Sequence, residues 1–169
     1  MMDTEIYQEV ILQHSRRPRN FGYLEMATHG ASGQNASCGD SIQIQLVLQG
    51  DIIQEIKFNS SACAVCTASA SIMTDEVKGL VRAQALRVAT DFRRMAVEGI
   101  FPERLPDRLK VLGGIYQFPQ RVRCATLPWE TLSLALHPPP NESHISPPGA
   151  TFFQAEMGAS DNPPRSLPS

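Results

Sequence analysis

Residues 41–58 read SIQIQLVLQGDIIQEIKF, and this stretch predicts a β-hairpin. Apolar and polar residues alternate from Ser41 to Leu48, so one face of that strand carries only isoleucine and leucine. The turn signal Gln49-Gly50-Asp51 reverses the chain, and Ile52 to Phe58 supplies the second strand. A half-buried hairpin needs a layer of other elements on its apolar face.

Helical patterns on both sides of the hairpin supply that layer. Before it, the residues Ile6 and Val10, like Tyr7 and Ile11, are spaced four apart, which predicts a helix over residues 4–15. After it, Ser60 or Ser61 can cap the first of four further predicted helices, at about 63–78, 81–98, 106–112 and 124–136. The sequence therefore predicts an α+β fold, in which helices cover one face of a small antiparallel sheet.

The bulk composition indicates one ordinary globular domain. The chain has 169 residues, of which 42% are hydrophobic and 19% charged, and its formal net charge is −2. A charge this close to balance argues against a nucleic-acid or anionic-membrane partner, and no long apolar run predicts a membrane span. Four cysteines without a secretory signal indicate the reducing cytoplasm, where cysteines serve metals or redox chemistry.

The composition changes near His137. Eight of the 13 prolines lie within residues 137–169, with several serines and almost no periodic apolar residues. Such a segment cannot bury enough apolar surface to offset its ordering entropy. We therefore predict a domain over residues 1–136 and a disordered Pro/Ser-rich tail over 137–169.

Three cysteines and one aspartate are the candidate functional residues. They lie in Ser37-Cys38-Gly39-Asp40, in Cys63-Ala64-Val65 and in Arg123-Cys124-Ala125-Thr126. Three thiolates and a carboxylate are donors that a zinc ion or an iron–sulfur cluster accepts. Their spacing is not that of a local zinc finger, and each thiol alone could be a small buried apolar residue. A fold must therefore bring them together if they form a site.

Several motifs resemble, in the same order, those of the U-type iron–sulfur assembly proteins (SufU, IscU and the N-terminal domain of NifU). The resemblance spans about residues 4–136 and agrees with the α+β fold. It rests on Tyr7-Gln8-Glu9-Val10-Ile11-Leu12-Gln13-His14, Pro18-Arg19-Asn20-Phe21-Gly22, Ser37-Cys38-Gly39-Asp40, Gly50-Asp51-Ile52-Ile53, Ala68-Ser69-Ala70-Ser71-Ile72-Met73-Thr74, Val77-Lys78-Gly79, Phe118-Pro119 and Arg121-Val122-Arg123-Cys124-Ala125-Thr126-Leu127.

Three features are more similar to SufU than to IscU. Arg123 stands where IscU-like members have a histidine before the third cysteine. Phe118-Pro119-Gln120-Arg121 replaces their Leu-Pro-Pro-Val-Lys segment, which a dedicated chaperone recognises. The stretch between Cys63 and Cys124 is also long.

The SufU-like resemblance implies a zinc site with the ligands Cys38, Asp40, Cys63 and Cys124. It implies that Cys124 accepts persulfide sulfur from a SufS-like cysteine desulfurase. The desulfurase would replace Cys124 as a ligand of the metal and so free its thiol. Arg123 beside it would favour a thiolate or a persulfide. The partners implied are this desulfurase and downstream iron–sulfur assembly proteins, and the activity is at most that of a sulfurtransferase.

Two other functions remain open on the sequence. An IscU-like scaffold would assemble a [2Fe–2S] cluster on the same cysteines, Cys38, Cys63 and Cys124. A structural module would use zinc only to hold the fold, with the Pro-rich tail recruiting partners.

Two residues depart from the family pattern. Cys66 makes a C-x-x-C with Cys63 and could be a redox partner or an alternative ligand, but a small buried residue is favoured because no thioredoxin-like pattern precedes it. Pro128 removes a helical hydrogen bond to the Cys124 carbonyl, which a helix tolerates in its first turn or at a kink.

Overall fold

The predicted hairpin forms the centre of the sheet. In a computed structural model, which describes residues 4–137 and 153–157, the strands are β1 (His29–Asn35), β2 (Asp40–Gln49), β3 (Ile52–Ser61) and β4 (Phe153–Met157). The sheet order is β3-β2-β1-β4. β2 pairs antiparallel with both β3 and β1, and the apolar alternation of β2 places Ile44 and Leu46 in the core with 0% exposure.

The sequence did not predict the other two strands. β1, with the sequence HGASGQN, has no β-branched or aromatic residue, so its pattern gives no strand signal. β4 pairs parallel with β1 and belongs to the segment predicted to be a disordered tail. The remainder of that tail, residues 138–152 and 158–169, lies outside the described residues.

The helices follow the predicted order. They are α1 (Thr4–Arg16), α2 (Ala64–Val77), α3 (Arg82–Glu98), α4 (Asp107–Lys110) and α5 (Pro119–Leu136), with a 3-10 helix at Gly113–Gln117. α2 begins after Cys63, which is its N-cap residue, so the predicted serine cap was wrong. The described helices include none that is long and apolar enough to cross a membrane.

α5 begins earlier than predicted. Pro119 occupies its first turn, where a missing N–H costs nothing, and this places Cys124 in the second turn rather than near the helix start. Pro128 lies well inside the helix, so the tolerance of a first turn does not apply to it.

The helices lie over one face of the sheet, which confirms the predicted α+β architecture. α5 packs on β1 and β2, α2 packs on α1 and α5, and α3 packs on the other side of α5. The rings of Phe92 and Trp129 stack with their centroids 4.7 Å apart between α3 and α5. This packing brings the start of α2 and the start of α5 to the end of the sheet where β1 turns into β2.

Candidate metal centre

The first two candidate residues lie in the short connection between β1 and β2. Asn35 and Asp40 are opposite each other in the β1–β2 register, so the connection is tight. The Cys38 N–H donates to the Asn35 carbonyl at 3.2 Å. Gly39 has a φ of 71°, a left-handed conformation that glycine adopts without strain, and it lets Cys38 and Asp40 project from so short a loop.

Asp40 connects this loop to the start of α2. Its carboxylate is 3% exposed, and Oδ1 accepts the Cys63 N–H at 2.8 Å. The Cys63 sulfur lies 3.8 Å from Oδ2 of the same carboxylate. The first N–H groups of a helix have no partner within the helix, so a buried carboxylate is a favourable acceptor there. Asp40 thus places the Cys63 thiol.

α5 brings the third thiol to the same place. Cys124 is 4% exposed, and its sulfur lies 3.6 Å from the Cys38 sulfur and 3.8 Å from the Gln120 carbonyl oxygen. The ligand atoms of Cys38, Asp40 and Cys124 all lie within 4.8 Å of one another. Cys63 is not part of that group of three but joins it through Asp40. The fold therefore brings together all four predicted donors.

These distances suit a tetrahedral metal ion. Zinc–sulfur bonds of about 2.3 Å in tetrahedral geometry separate two ligand sulfurs by about 3.8 Å. The Cys38 and Cys124 sulfurs are 3.6 Å apart, and the Cys63 sulfur is 3.8 Å from the Asp40 carboxylate. The donor set of three thiols and one carboxylate fits zinc, and its thiols also fit an iron–sulfur cluster.

The crowding of acidic groups has an electrostatic cost. Burial raises the pKa of the Cys124 thiol, and its contacts with Asp40, Cys63 and Cys38 raise it further. Several anions cannot share so small a volume without a compensating charge. A bound cation reverses this effect, because a thiol that coordinates a metal is deprotonated outright.

The Arg123 side chain reaches the loop that carries Cys38. Its Nη1 lies 3.4 Å from the Ser37 hydroxyl oxygen, and the Ser37 hydroxyl donates to Asn35 Oδ1 at 2.9 Å. The Asn35 side chain is buried, and its Nδ2 has no hydrogen-bond partner among the described residues. The sequence predicted no role for Asn35 or Ser37, although Ser37 lies in a motif of the family resemblance and Asn35 lies just before it.

Cys66 belongs to the core, as predicted, with 0% exposure. Burial raises the pKa of its thiol, and the nearby Asp40, Cys63 and Cys38 raise it further. A neutral buried thiol is a poor nucleophile and a poor metal ligand.

Comparisons with known proteins show which family the chain is similar to. The sequence profile of the family described as NifU-like N-terminal domain matches residues 6–137. The iron–sulfur cluster assembly scaffold protein IscU of Streptococcus pyogenes is 33% identical over 142 residues, which are 83% of this chain and 89% of that protein. The zinc-dependent sulfurtransferase SufU of Bacillus subtilis is 35% identical over 132 residues, which are 78% of this chain and 88% of that protein.

A solved structure is similar over the same region. It is the crystal structure of an iron–sulfur cluster assembly scaffold protein for the SUF system from Fervidobacterium islandicum, which superposes with a TM-score of 0.75 at 31% identity. The superposition covers 79% of this chain and 98% of that one. The likeness therefore extends over nearly the whole described part of the chain.

Proposed function

The chain belongs to the family of NifU-like N-terminal domains, the U-type iron–sulfur cluster assembly scaffolds, and within it we propose a zinc-dependent acceptor of persulfide sulfur. The sulfur donor in this proposal is a cysteine desulfurase, and downstream iron–sulfur assembly proteins receive the product. The replacement of a histidine by Arg123 supports this branch, as does the similarity to a relative named a zinc-dependent sulfurtransferase. We place the activity in the cytoplasm.

The meeting of four donors carries the proposal. Cys38, Asp40, Cys63 and Cys124 come from three separate segments. The Cys38–Cys124 sulfur pair and the pair of the Cys63 sulfur with the Asp40 carboxylate have separations that suit tetrahedral ligands. These four residues would hold the zinc. When bound, zinc keeps thiols deprotonated without redox chemistry of its own, which protects them from oxidation.

Cys124 is the sulfur acceptor in this proposal. Its thiolate attacks the outer sulfur of the persulfide on the desulfurase cysteine, and a new sulfur–sulfur bond forms at Cys124. The sulfur–sulfur bond of the donor breaks, and the donor cysteine leaves as a thiolate, so no external oxidant or reductant is needed. Arg123, tied to the loop of Cys38, supplies a fixed positive charge that favours the anionic persulfide product.

The second candidate function is assembly of a [2Fe–2S] cluster on the same cysteines. The likeness to a relative named an IscU scaffold favours it, because that match covers more of this chain than the match to the sulfurtransferase does. Cysteine thiolates are the usual ligands of such a cluster.

The metal and acid-labile sulfide content separates the two candidates. We would purify the full chain without oxygen and without added metal, and then incubate it with a cysteine desulfurase and free cysteine. Zinc stoichiometric with the chain, no sulfide, and one extra sulfur atom on the Cys124 peptide are the expected results. Iron with matching sulfide would instead support the cluster scaffold.

A pair of variants tests the role of Cys124. We expect Cys124→Ser to remain folded and to lose sulfur acceptance, whereas Cys66→Ala, at the buried thiol outside the donor set, retains both properties. If Cys124→Ser unfolds the chain while Cys66→Ala does not, the centre is a structural zinc module and the proposal is wrong.

A further inference from the structure

A buried serine connects the helix that follows Cys63 with the helix that carries Cys124. The Ser69 hydroxyl, on α2, donates to the Ala125 carbonyl at 2.6 Å and accepts the indole N–H of Trp129 at 3.2 Å. Ser69 is 0% exposed and Trp129 is 1% exposed. Stacking against Phe92 holds the indole in place. We call Ser69, Ala125 and Trp129 the Ser69 latch.

The latch lies next to a gap in the hydrogen bonds of α5. Pro128 has no backbone N–H, and the carbonyl that it would otherwise bind is that of Cys124, four residues earlier. A proline ring inside a helix also crowds the carbonyl four residues earlier, which weakens the helix at that point. The backbone of Cys124 therefore lacks a helical restraint, and the Ser69 hydroxyl binds the very next carbonyl.

We propose that Ser69 is a positioning residue for Cys124. It holds the part of α5 that Pro128 releases, and so sets the separation of the Cys124 sulfur from Cys38 and Asp40. The inference rests on the proposed function only in giving Cys124 a working role. The Ser69 hydroxyl bonds with Ala125 and Trp129 rather than with a donor, so it acts through the backbone of α5.

Ser71 provides a matched control on the same helix. It is also 0% exposed, and its hydroxyl oxygen accepts the Arg19 N–H at 2.8 Å and lies 2.7 Å from Nδ1 of His14. These contacts anchor the end of α1 and the segment after it, not α5. Ser71→Ala thus removes a comparable buried hydroxyl from α2 without touching the latch.

The test is a mutant cycle in the full chain. Ser69→Ala and Ser71→Ala are each made alone and together with Pro128→Ala. Zinc affinity is measured by chelator competition, and the alkylation rate of Cys124 in the metal-free chain is measured by peptide mass spectrometry. Neither readout involves a desulfurase, so a failure of sulfur acceptance and a failure of this inference are distinguishable.

We expect Ser69→Ala to weaken zinc binding about tenfold and to accelerate Cys124 alkylation, because residues that orient ligands commonly contribute this much. Ser71→Ala should leave both quantities unchanged. With Pro128→Ala, the effect of Ser69→Ala should largely disappear, because residue 128 then supplies the missing N–H to the Cys124 carbonyl.

Two outcomes would overturn the inference. One is an equal effect of Ser69→Ala and Ser71→Ala, which would mean that the hydroxyls only stabilise the core. The other is an effect of Ser69→Ala that is the same with and without Pro128. Should Ser69→Ala fail to fold, Ser69→Cys replaces it in the cycle, because a thiol is a weaker hydrogen-bond donor than a hydroxyl.

Discussion

His14 and Ser71 form the contact that fixes the end of α1 on α2. Nδ1 of His14 lies 2.7 Å from the hydroxyl oxygen of Ser71. The hydroxyl can donate to the ring only while Nδ1 is unprotonated. Burial lowers the pKa of His14 from its ordinary value of 6.5, and the charges of Arg19 and Arg108 lower it further, while Asp75 opposes them. The folded protein therefore favours the neutral ring.

This shift predicts a loss of stability in mild acid. Because the folded state binds fewer protons than the unfolded state, the contribution of His14 is complete above about pH 6.5 and is lost as the pH falls through the lower folded pKa. His14→Gln should flatten that part of the dependence in urea unfolding measured between about pH 5 and pH 8.

His29 is the parallel case, since burial and then Arg82 lower its pKa as well. His29→Gln should remove a separate part of the same dependence. A pH dependence that His14→Gln leaves unchanged would contradict our explanation of the His14–Ser71 contact.

Asp40 combines two roles that a substitution can separate. Asp40→Asn retains an oxygen for the Cys63 N–H but removes the negative charge facing the thiols. We expect an intact fold and a zinc affinity lower by about ten- to a hundredfold, measured by chelator competition. Asp51→Asn, at an exposed carboxylate on the hairpin turn, is the control that should leave zinc binding unchanged. Unchanged affinity in Asp40→Asn would remove Asp40 from the ligand set.

The residues around the candidate centre were less predictable than its candidate donors. Cys38, Asp40, Cys63 and Cys124 stand out by their chemistry and by a family resemblance. The chemistry of Asn35, Ser37 and Ser69 does not single them out, because small polar residues are common in loops and on helix surfaces. The burial of Asn35 and of Ser69 follows only from which elements pack against them.

At the scale of elements, the contact between β1 and α5 determines where Cys124 lies. A Cβ added to Gly33 would collide with the Thr131 hydroxyl and lie 3.1 Å from the Leu127 side chain. The two elements thus approach each other more closely than any larger residue at this position would allow.

Gly33→Ala should consequently lower the free energy of unfolding by about 1–3 kcal/mol, since it overpacks this interface. Gly114→Ala is the matched control, because a Cβ there meets nothing within 4 Å. Chemical denaturation compares the two variants, with the same dependence of the unfolding free energy on denaturant concentration used for both. Equal stability of both would show that α5 can shift away from β1 without cost.

The packing of β1 also explains why its sequence did not predict a strand. Strand preference largely reflects how well a side chain packs on its neighbours, and β1 packs through the small residues Ala31 and Gly33. These small residues allow β1 to lie close to α5. They do not form the alternation of apolar and polar residues by which strands are recognised.

At the scale of the whole molecule, the described strand β4 covers the outer edge of β1. Its parallel register ends with Met157 opposite Asn35, three residues before Cys38. β4 therefore ends at the end of the sheet where the candidate metal centre lies. An added edge strand shields backbone groups that would otherwise be open to pairing.

Deleting residues 138–169 tests this arrangement. We expect the rest of the chain to fold, because the core described here lies within residues 4–137, and amide exchange in β1 to become faster. β3, at the opposite edge, provides the internal control within the same hydrogen-exchange experiment. Unchanged exchange in β1 would mean that the tail leaves this edge open and that residues 137–169 are disordered, as their composition predicts.

The sequence by itself determined the hairpin, the order of the helices and the four candidate donors, because alternation, helical spacing and thiol chemistry are properties of neighbouring residues. Only the tertiary structure decided that the Cys124 sulfur lies 3.6 Å from Cys38 and that Asp40 binds the start of α2. Those contacts join segments far apart in the chain. They depend on how closely α5 packs on β1 and α2. Such packing does not produce a periodic pattern of residues in the sequence.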